Sequence, residues 1–176
     1  MHRLFVAIRP PQAIRDCLLD AMEGADLKWQ DEEQLHLTLR FIGEVERPLA
    51  NDIASALSDL SFPSFELAIH GVGRFDHGRR GALWAGVKSK EELRALAAKV
   101  ERACQSAGLV PERRAYHPHI TLARWKGRRS HEVARFLDRS RGLSSPAFRT
   151  SEFVLFESRL SRHGAHYEEI ATYPLV

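Results

Sequence analysis

Residues 34–42 read QLHLTLRFI and residues 116–125 read YHPHITLARW, and these two stretches decide the fold. In the first, Leu35, Leu37, Leu39 and Phe41 alternate with His36, Thr38 and Arg40, the period-two pattern of a half-buried strand. The second is built the same way around His119 and Thr121. The strings HLTL and HITL stand 83 residues apart, and the same offset carries Ile53 onto Phe136 and Phe65 onto Phe148. Two copies of one unit are expected, packed with pseudo-twofold symmetry so that both His-x-Thr strands lie side by side at the axis.

The surrounding sequence supplies the rest of each unit. Residues 3–9 (RLFVAIR) form an expected strand, and Pro10-Pro11 open a helix that runs to about Gly24, a position proline tolerates. Pro48 starts a second helix, with Leu49, Ile53, Leu57 and Leu60 facing inward, and residues 64–70 alternate as a strand. Gly71 to Gly81 (GVGRFDHGRRG) is expected to be a mobile Gly- and Arg-rich loop. Strand 82–88, helix 90–107, strand 116–125 and a helix near 131–139 follow. The end is a hairpin, TSEFVLFESRL against HYEEIATYPL, turning at Gly164. The first 70 residues therefore read β-α-β-α-β, and 82–158 repeat the order. The expectation is an α+β fold, with residues 1–176 forming one domain of two pseudosymmetric, duplicated β-α-β-α-β lobes.

A chain of 176 residues, 44% hydrophobic and 28% charged, suits one domain and excludes disorder and fibrous folds. No apolar run approaches the ~20 residues that span a bilayer, and MHRLFVAIRPP is too briefly apolar for a secretory signal. Two cysteines, Cys17 and Cys104, cannot staple a small secreted fold and are expected as buried free thiols in a reducing cytoplasm. The net charge of +3 is too small to hold nucleic acid by itself. Of the 26 cations, however, 21 are Arg, which suits bidentate phosphate recognition and base stacking as well as a GC-rich genome.

A His-x-Thr strand sets an imidazole and a hydroxyl on one face, roughly 7 Å of backbone apart. One such strand is commonplace, whereas two at equivalent positions of a repeat aim at one cleft. Two imidazoles and two hydroxyls, without a carboxylate cluster, fit phosphodiester chemistry that needs no metal. One imidazole deprotonates the attacking oxygen, the other protonates the leaving oxygen, and the hydroxyls donate to the non-bridging oxygens.

HLTLRFIGEV and HPHITLAR resemble the paired signatures of the two-histidine phosphoesterases, above all the RNA 2′,3′-cyclic phosphodiesterases, also called 2′-5′ RNA ligases. RLFVAI at the start, Trp29, Phe156–Leu160 and Gly164–Tyr167 extend the likeness along the chain. The resemblance implies antiparallel sheets in two lobes around a central cleft, with helices outside. It also implies hydrolysis of RNA 2′,3′-cyclic phosphate ends to 2′-phosphomonoesters, without metal or other cofactor, and the reverse 2′-5′ ligation as a side activity. His36 would then be the proton donor to the departing O3′ and His119 the base that activates water. Thr38 and Thr121 would hold phosphate oxygens, while Phe41 and Arg124 would bracket the nucleobase. Strict alternation puts Phe41 and Arg124 on the face away from the histidines, so either the strand twists or bulges after each threonine or these side chains reach round the strand end. Arg40, on the histidine face by that same alternation, is a second cation for the phosphate.

The expected partner is an RNA end bearing a cyclic phosphate, met by a monomer away from membranes. His117 and His119 could be read with His36 as a metal set, but no HExxH or CxxC string supports one. Arg79-Arg80, Arg113-Arg114 and Arg128-Arg129 lie in expected loops or at element ends, either solvated or lining a groove for RNA. The alternatives are a phosphodiesterase for 2′-5′ oligonucleotides or small cyclic nucleotides, and a non-catalytic RNA-binding module.

Overall fold

The computed structural model describes residues 1–24, 26–88 and 90–176. Its strands are β1 (His2–Ile8), β2 (Lys28–Trp29), β3 (Leu37–Val45), β4 (Phe65–His77), β5 (Arg80–Lys88), β6 (Ile120–Lys126), β7 (Phe148–Thr150), β8 (Glu152–Ser161) and β9 (Gly164–Pro174). The helices are α1 (Gln12–Ala21), α2 (Arg47–Ser58), α3 (Lys90–Ser106) and α4 (Ser130–Arg139). All strand pairings are antiparallel, in the order β7-β4-β5-β6-β3-β1-β8-β9, with β2 on β6. The fold is α+β, as the sequence pattern predicts.

The helices bury one face of this sheet. Ile14 and Leu18 of α1, Ile53 and Leu57 of α2, Leu93, Leu96 and Val100 of α3, and Val133 and Phe136 of α4 join the core-facing strand residues in one apolar cluster. A second, smaller cluster of Phe5, Ala7, Val154 and Phe156, with Tyr167 against it, lies on the other face. Alternation along β1 separates the two sets: Leu4, Val6 and Ile8 join the helices, while Phe5 and Ala7 face the other way. That second face carries the site.

Two features differ from the pattern in the sequence. Gly71–Gly81 is not a mobile loop but the far end of the β4–β5 hairpin, closed by Gly78 and Arg79 with Gly78 at φ +64°. The glycines there serve packing as well as turning. A Cβ at Gly73 would collide with the Trp84 ring, and one at Gly81 with the Trp125 ring. The halves also exchange strands, since β4 pairs with β5 and β8 with β1. A two-residue connection leaves β4 and β5 no arrangement but a hairpin, which draws the last strand of the first half beside the first strand of the second.

Candidate active site

The two His-x-Thr strands meet through one residue pair, Leu37 opposite Ile120. These residues are themselves related by the 83-residue offset, so the pseudo-twofold axis passes between them. Carrying the antiparallel register one residue each way sets His36 opposite Thr121 and Thr38 opposite His119. The two histidines then stand as diagonal neighbours, roughly 7–8 Å apart at the backbone.

Both histidines sit just ahead of their strands, which begin at Leu37 and Ile120 rather than at residues 34 and 116. Each Nδ1 lies 2.7 Å from the carbonyl oxygen two residues earlier, Gln34 for His36 and His117 for His119. A carbonyl only accepts, so Nδ1 carries the proton and Nε2 is left for chemistry in both rings. Those carbonyls serve imidazoles instead of a neighbouring strand, which is why each ladder starts late. Gln34 is itself fixed, its Nε2 donating to the Ala165 carbonyl at 2.9 Å and its Oε1 accepting from the Asp31 amide.

A bulge follows each threonine. On β3, Thr38 opposes Ala7 and Arg40 opposes Val6, leaving Leu39 as the extra residue. On β6, Thr121 opposes Trp84 and Ala123 opposes Leu83, leaving Leu122 extra. The bulge returns the fifth residue to the histidine face. Phe41 is accordingly 54% exposed, with its ring 6.1 Å from Phe5, and Arg124 is exposed at the matching place on β6.

The same bulge removes Arg40 from the site and corrects the expectation that it serves the phosphate. Arg40 is only 8% exposed and turns towards α3. Its Nε donates to Glu101 at 2.5 Å, Nη1 to the Phe41 carbonyl and Nη2 to the Val110 carbonyl at 2.7 Å. Burial works against the Glu101 carboxylate, but bonds from Arg40 and the Glu112 amide outweigh it and hold its pKa below the usual range. Arg40 is thus committed to structure, at the place where β6 has the buried Ala123.

Each imidazole has an aromatic wall. His36 lies 4.8 Å from the Phe5 ring and 5.3 Å, edge on, from Tyr167. His119 lies 4.8 Å from Phe75 and 6.3 Å from Trp84, with His117 at 5.9 Å. Burial is the largest influence on His36, and the positive charges of His119, Arg9 and Arg124 act in the same direction. Its backbone bond to Gln34 opposes them, and the pKa falls to about 4. His119 is lowered too, by burial first and then by His117 and Arg124, against its own carbonyl bond. Both rings are therefore neutral at pH 7.

Several residues near the site carry no motif. Arg9 lies over the Phe156 ring at 5.2 Å and pairs with Glu169 at 2.9 Å. Tyr116 donates its hydroxyl to the Thr38 carbonyl at 2.8 Å, tying the segment before His119 to the strand after His36. Burial pushes its phenol far above the ordinary range, so it stays a donor. Alternation of RLFVAIR placed Arg9 on the Phe5 face, the one signal in the sequence that pointed to it. A concavity of about 620 Å³ lies beyond Trp84, lined by His70, Val72, Gly86 and Lys88, and does not contain the histidines. Among the described residues, no three His, Cys, Asp or Glu side chains gather to hold a metal ion. No helix among them is long and apolar enough to cross a membrane.

A helix-backed antiparallel sheet of this kind is shared with solved phosphoesterases. The chain aligns with a crystal structure described as a phosphoesterase at TM-score 0.80 and 25% identity, covering 99% of this chain and 98% of that one. It aligns equally with E. coli LigT complexed with 3′-AMP, at TM-score 0.80, 24% identity and the same coverage. The model of the 2′-5′ RNA ligase superfamily matches residues 8–162, and the chain belongs to that superfamily. Among curated relatives, the RNA 2′,3′-cyclic phosphodiesterase of Aeropyrum pernix is 36% identical over 160 residues, covering 89% of this chain and 90% of the relative. That of Archaeoglobus fulgidus is 31% identical over 176 residues, covering 97% and 99%.

Proposed function

We propose that the protein is an RNA 2′,3′-cyclic phosphodiesterase that opens terminal cyclic phosphates to 2′-phosphomonoesters. The observation that carries this reading is the doubled arrangement at the Leu37–Ile120 pair, where both rings are anchored through Nδ1. His119 Nε2 takes a proton from water as the water oxygen bonds to phosphorus. His36 Nε2–H gives its proton to O3′ as the P–O3′ bond breaks, and the phosphate stays on O2′. Thr38 and Thr121 donate to the non-bridging oxygens, where charge grows in the transition state. Phe41 stacks on the terminal base, and Arg124 adds a cation beside it.

The free rings are neutral, so the donor must gain its proton as substrate binds. The phosphate supplies the reason, because its negative charge raises the pKa of any imidazole it touches. The same step with a ribose 5′-hydroxyl in place of water, its proton taken by His119 and P–O3′ again breaking, leaves a 2′-5′ linkage and gives ligation as a minor activity. Water at ~55 M outcompetes that hydroxyl. We place the protein in the cytoplasm as a monomer that requires no metal.

The test is adenosine 2′,3′-cyclic phosphate incubated with the protein in EDTA, with the product isomer identified. Adenosine 2′-phosphate is expected, and His36→Ala and His119→Ala should each slow turnover by ~10²–10⁴. A 3′-phosphate would reverse the leaving group, and rescue by zinc after silence in EDTA would sink the metal-free route.

A further inference from the structure

The bare face of the sheet continues past the paired histidines, and its two halves differ in charge. Beyond Thr121, β6 presents Arg124 and then Lys126 on the site face. Arg124 lies opposite Lys28 of β2 on one side and Ala82 of β5 on the other. Lys126 lies opposite Arg80, which in turn opposes His77 across the hairpin. Directly opposed residues share a face, so Lys28, Arg124, Lys126 and Arg80 form one row leading away from the histidines. All four are exposed, and Lys28, Arg80 and Lys126 have no carboxylate partner among the described residues. The nearest acid on the hairpin, Asp76, is on the opposite face, held by Arg74 at 2.6 Å.

Like charges set directly opposite each other across strands repel, and this row does so twice, at Lys28/Arg124 and at Arg80/Lys126. The other half of the sheet shows no such row. Position 43, equivalent to Lys126 by the 83-residue offset, is glycine, and Phe41 stands where Arg124 does. Three arginines on that side face acids: Arg9 pairs with Glu169, Arg159 with Glu157 and Glu168, and Arg3 lies opposite Glu44 in register. The pseudo-symmetry of the two His-x-Thr strands is therefore broken: Phe41 and arginines facing acids mark one half, and a row of cations without acids marks the other.

We propose that Lys28, Arg80 and Lys126 of this row bind the backbone phosphates upstream of the reacting 3′ end of single-stranded RNA, making oligonucleotide ends better substrates than mononucleotides. The inference rests on the reading of the paired histidines as the reaction centre. With the terminal phosphate between them and its base on Phe41, the 5′-ward chain leaves along β6. Lys126 and Arg80 lie five residues past Thr121 and beside it, a span of roughly 15 Å. That is beyond the reach of a mononucleotide and within the reach of a short strand. A cationic groove following the backbone, with an aromatic platform at its head, is the usual design for single-stranded nucleic acid.

The experiment compares kcat/KM for adenosine 2′,3′-cyclic phosphate and for RNA of two, four and six nucleotides with the same end. It uses the wild-type protein and the triple variant K28Q/R80Q/K126Q, whose fold is checked by thermal unfolding. In the wild type, kcat/KM should rise with length by about tenfold or more, and the variant should lose most of that rise. Binding of a 2′-phosphate-ended hexamer should become less salt-sensitive in the variant, its log–log slope shallower by about 2 for three lost contacts. Equal kcat/KM at all lengths in the wild type would overturn the proposal. So would a variant that slows mononucleotide and hexamer by the same factor. If the wild type turns over none of these substrates, the reading of the reaction centre fails instead. Hexamer binding then judges the row alone, and an unchanged salt slope overturns it.

Discussion

His36 is the more deeply buried of the two imidazoles, and its acid–base behaviour follows from that. A histidine in an unfolded chain takes up its proton near pH 6.5, whereas His36 in the folded protein does so only at about 4. Between those values the unfolded chain holds the extra proton, so stability should fall as the pH drops from 6.5 towards 4 and level off below. The catalytic consequence has the same origin. In the proposed mechanism His36 is the acid and His119, also lowered, the base, and kcat/KM should then trace a bell with its maximum below pH 6.5. The kcat profile should lie to the alkaline side, because bound phosphate raises both rings. Initial-rate kinetics from pH 4 to 9 test this, and a kcat/KM flat from pH 5 to 8 would remove the paired titration from the mechanism. At the same scale, a single residue such as Arg40 shows the limit of reading side chains by alternation. It has the charge for a phosphate site, yet it is occupied by Glu101 and two carbonyls on the far side of the strand.

Strand register explains that outcome, and also why Phe41 and Arg124, each five positions past a histidine, reach a face that simple alternation denies them. Leu39 and Leu122 are the extra residues of matching bulges, each turning the next side chain inward and the one after it outward. The bulges sit at equivalent places in both halves, so the duplicated unit includes its irregularity. The segment before His119 is held to this geometry by Tyr116, whose hydroxyl bonds to the Thr38 carbonyl. Tyr116→Phe leaves that carbonyl without its donor, a loss of ~1–3 kcal/mol in stability, seen as a lower midpoint in denaturant. If the bond also fixes the spacing of the two imidazoles, kcat should fall by about tenfold while KM changes little. A lowered midpoint with kcat intact would make Tyr116 a purely structural tie. The β4–β5 hairpin belongs at this scale too. Its glycine-rich sequence read as a loop because glycine usually marks turns, whereas Gly73 and Gly81 make room for Trp84 and Trp125.

Across the whole molecule, strand exchange makes each half depend on the other. β1 needs β8 as its second neighbour, β4 needs β5, and the two histidines meet only where β3 touches β6. Fragments 1–78 and 79–176 should therefore show no cooperative thermal unfolding alone and should regain it, with activity, when mixed. Cooperative unfolding of either fragment by itself would show that its half folds independently. The HLTL and HITL repeat, the alternation around it and the helical spacing of the flanking segments already specified the α+β class, the duplication and the two His-x-Thr pairs. Those properties are periodic, and side-chain periodicity is written directly in residue order. The bulges, the burial of Arg40, the strand exchange and the cationic row on β6 were settled only by the tertiary structure. They depend on which residue lies opposite which across strands, and that register is fixed by packing between segments far apart in the chain.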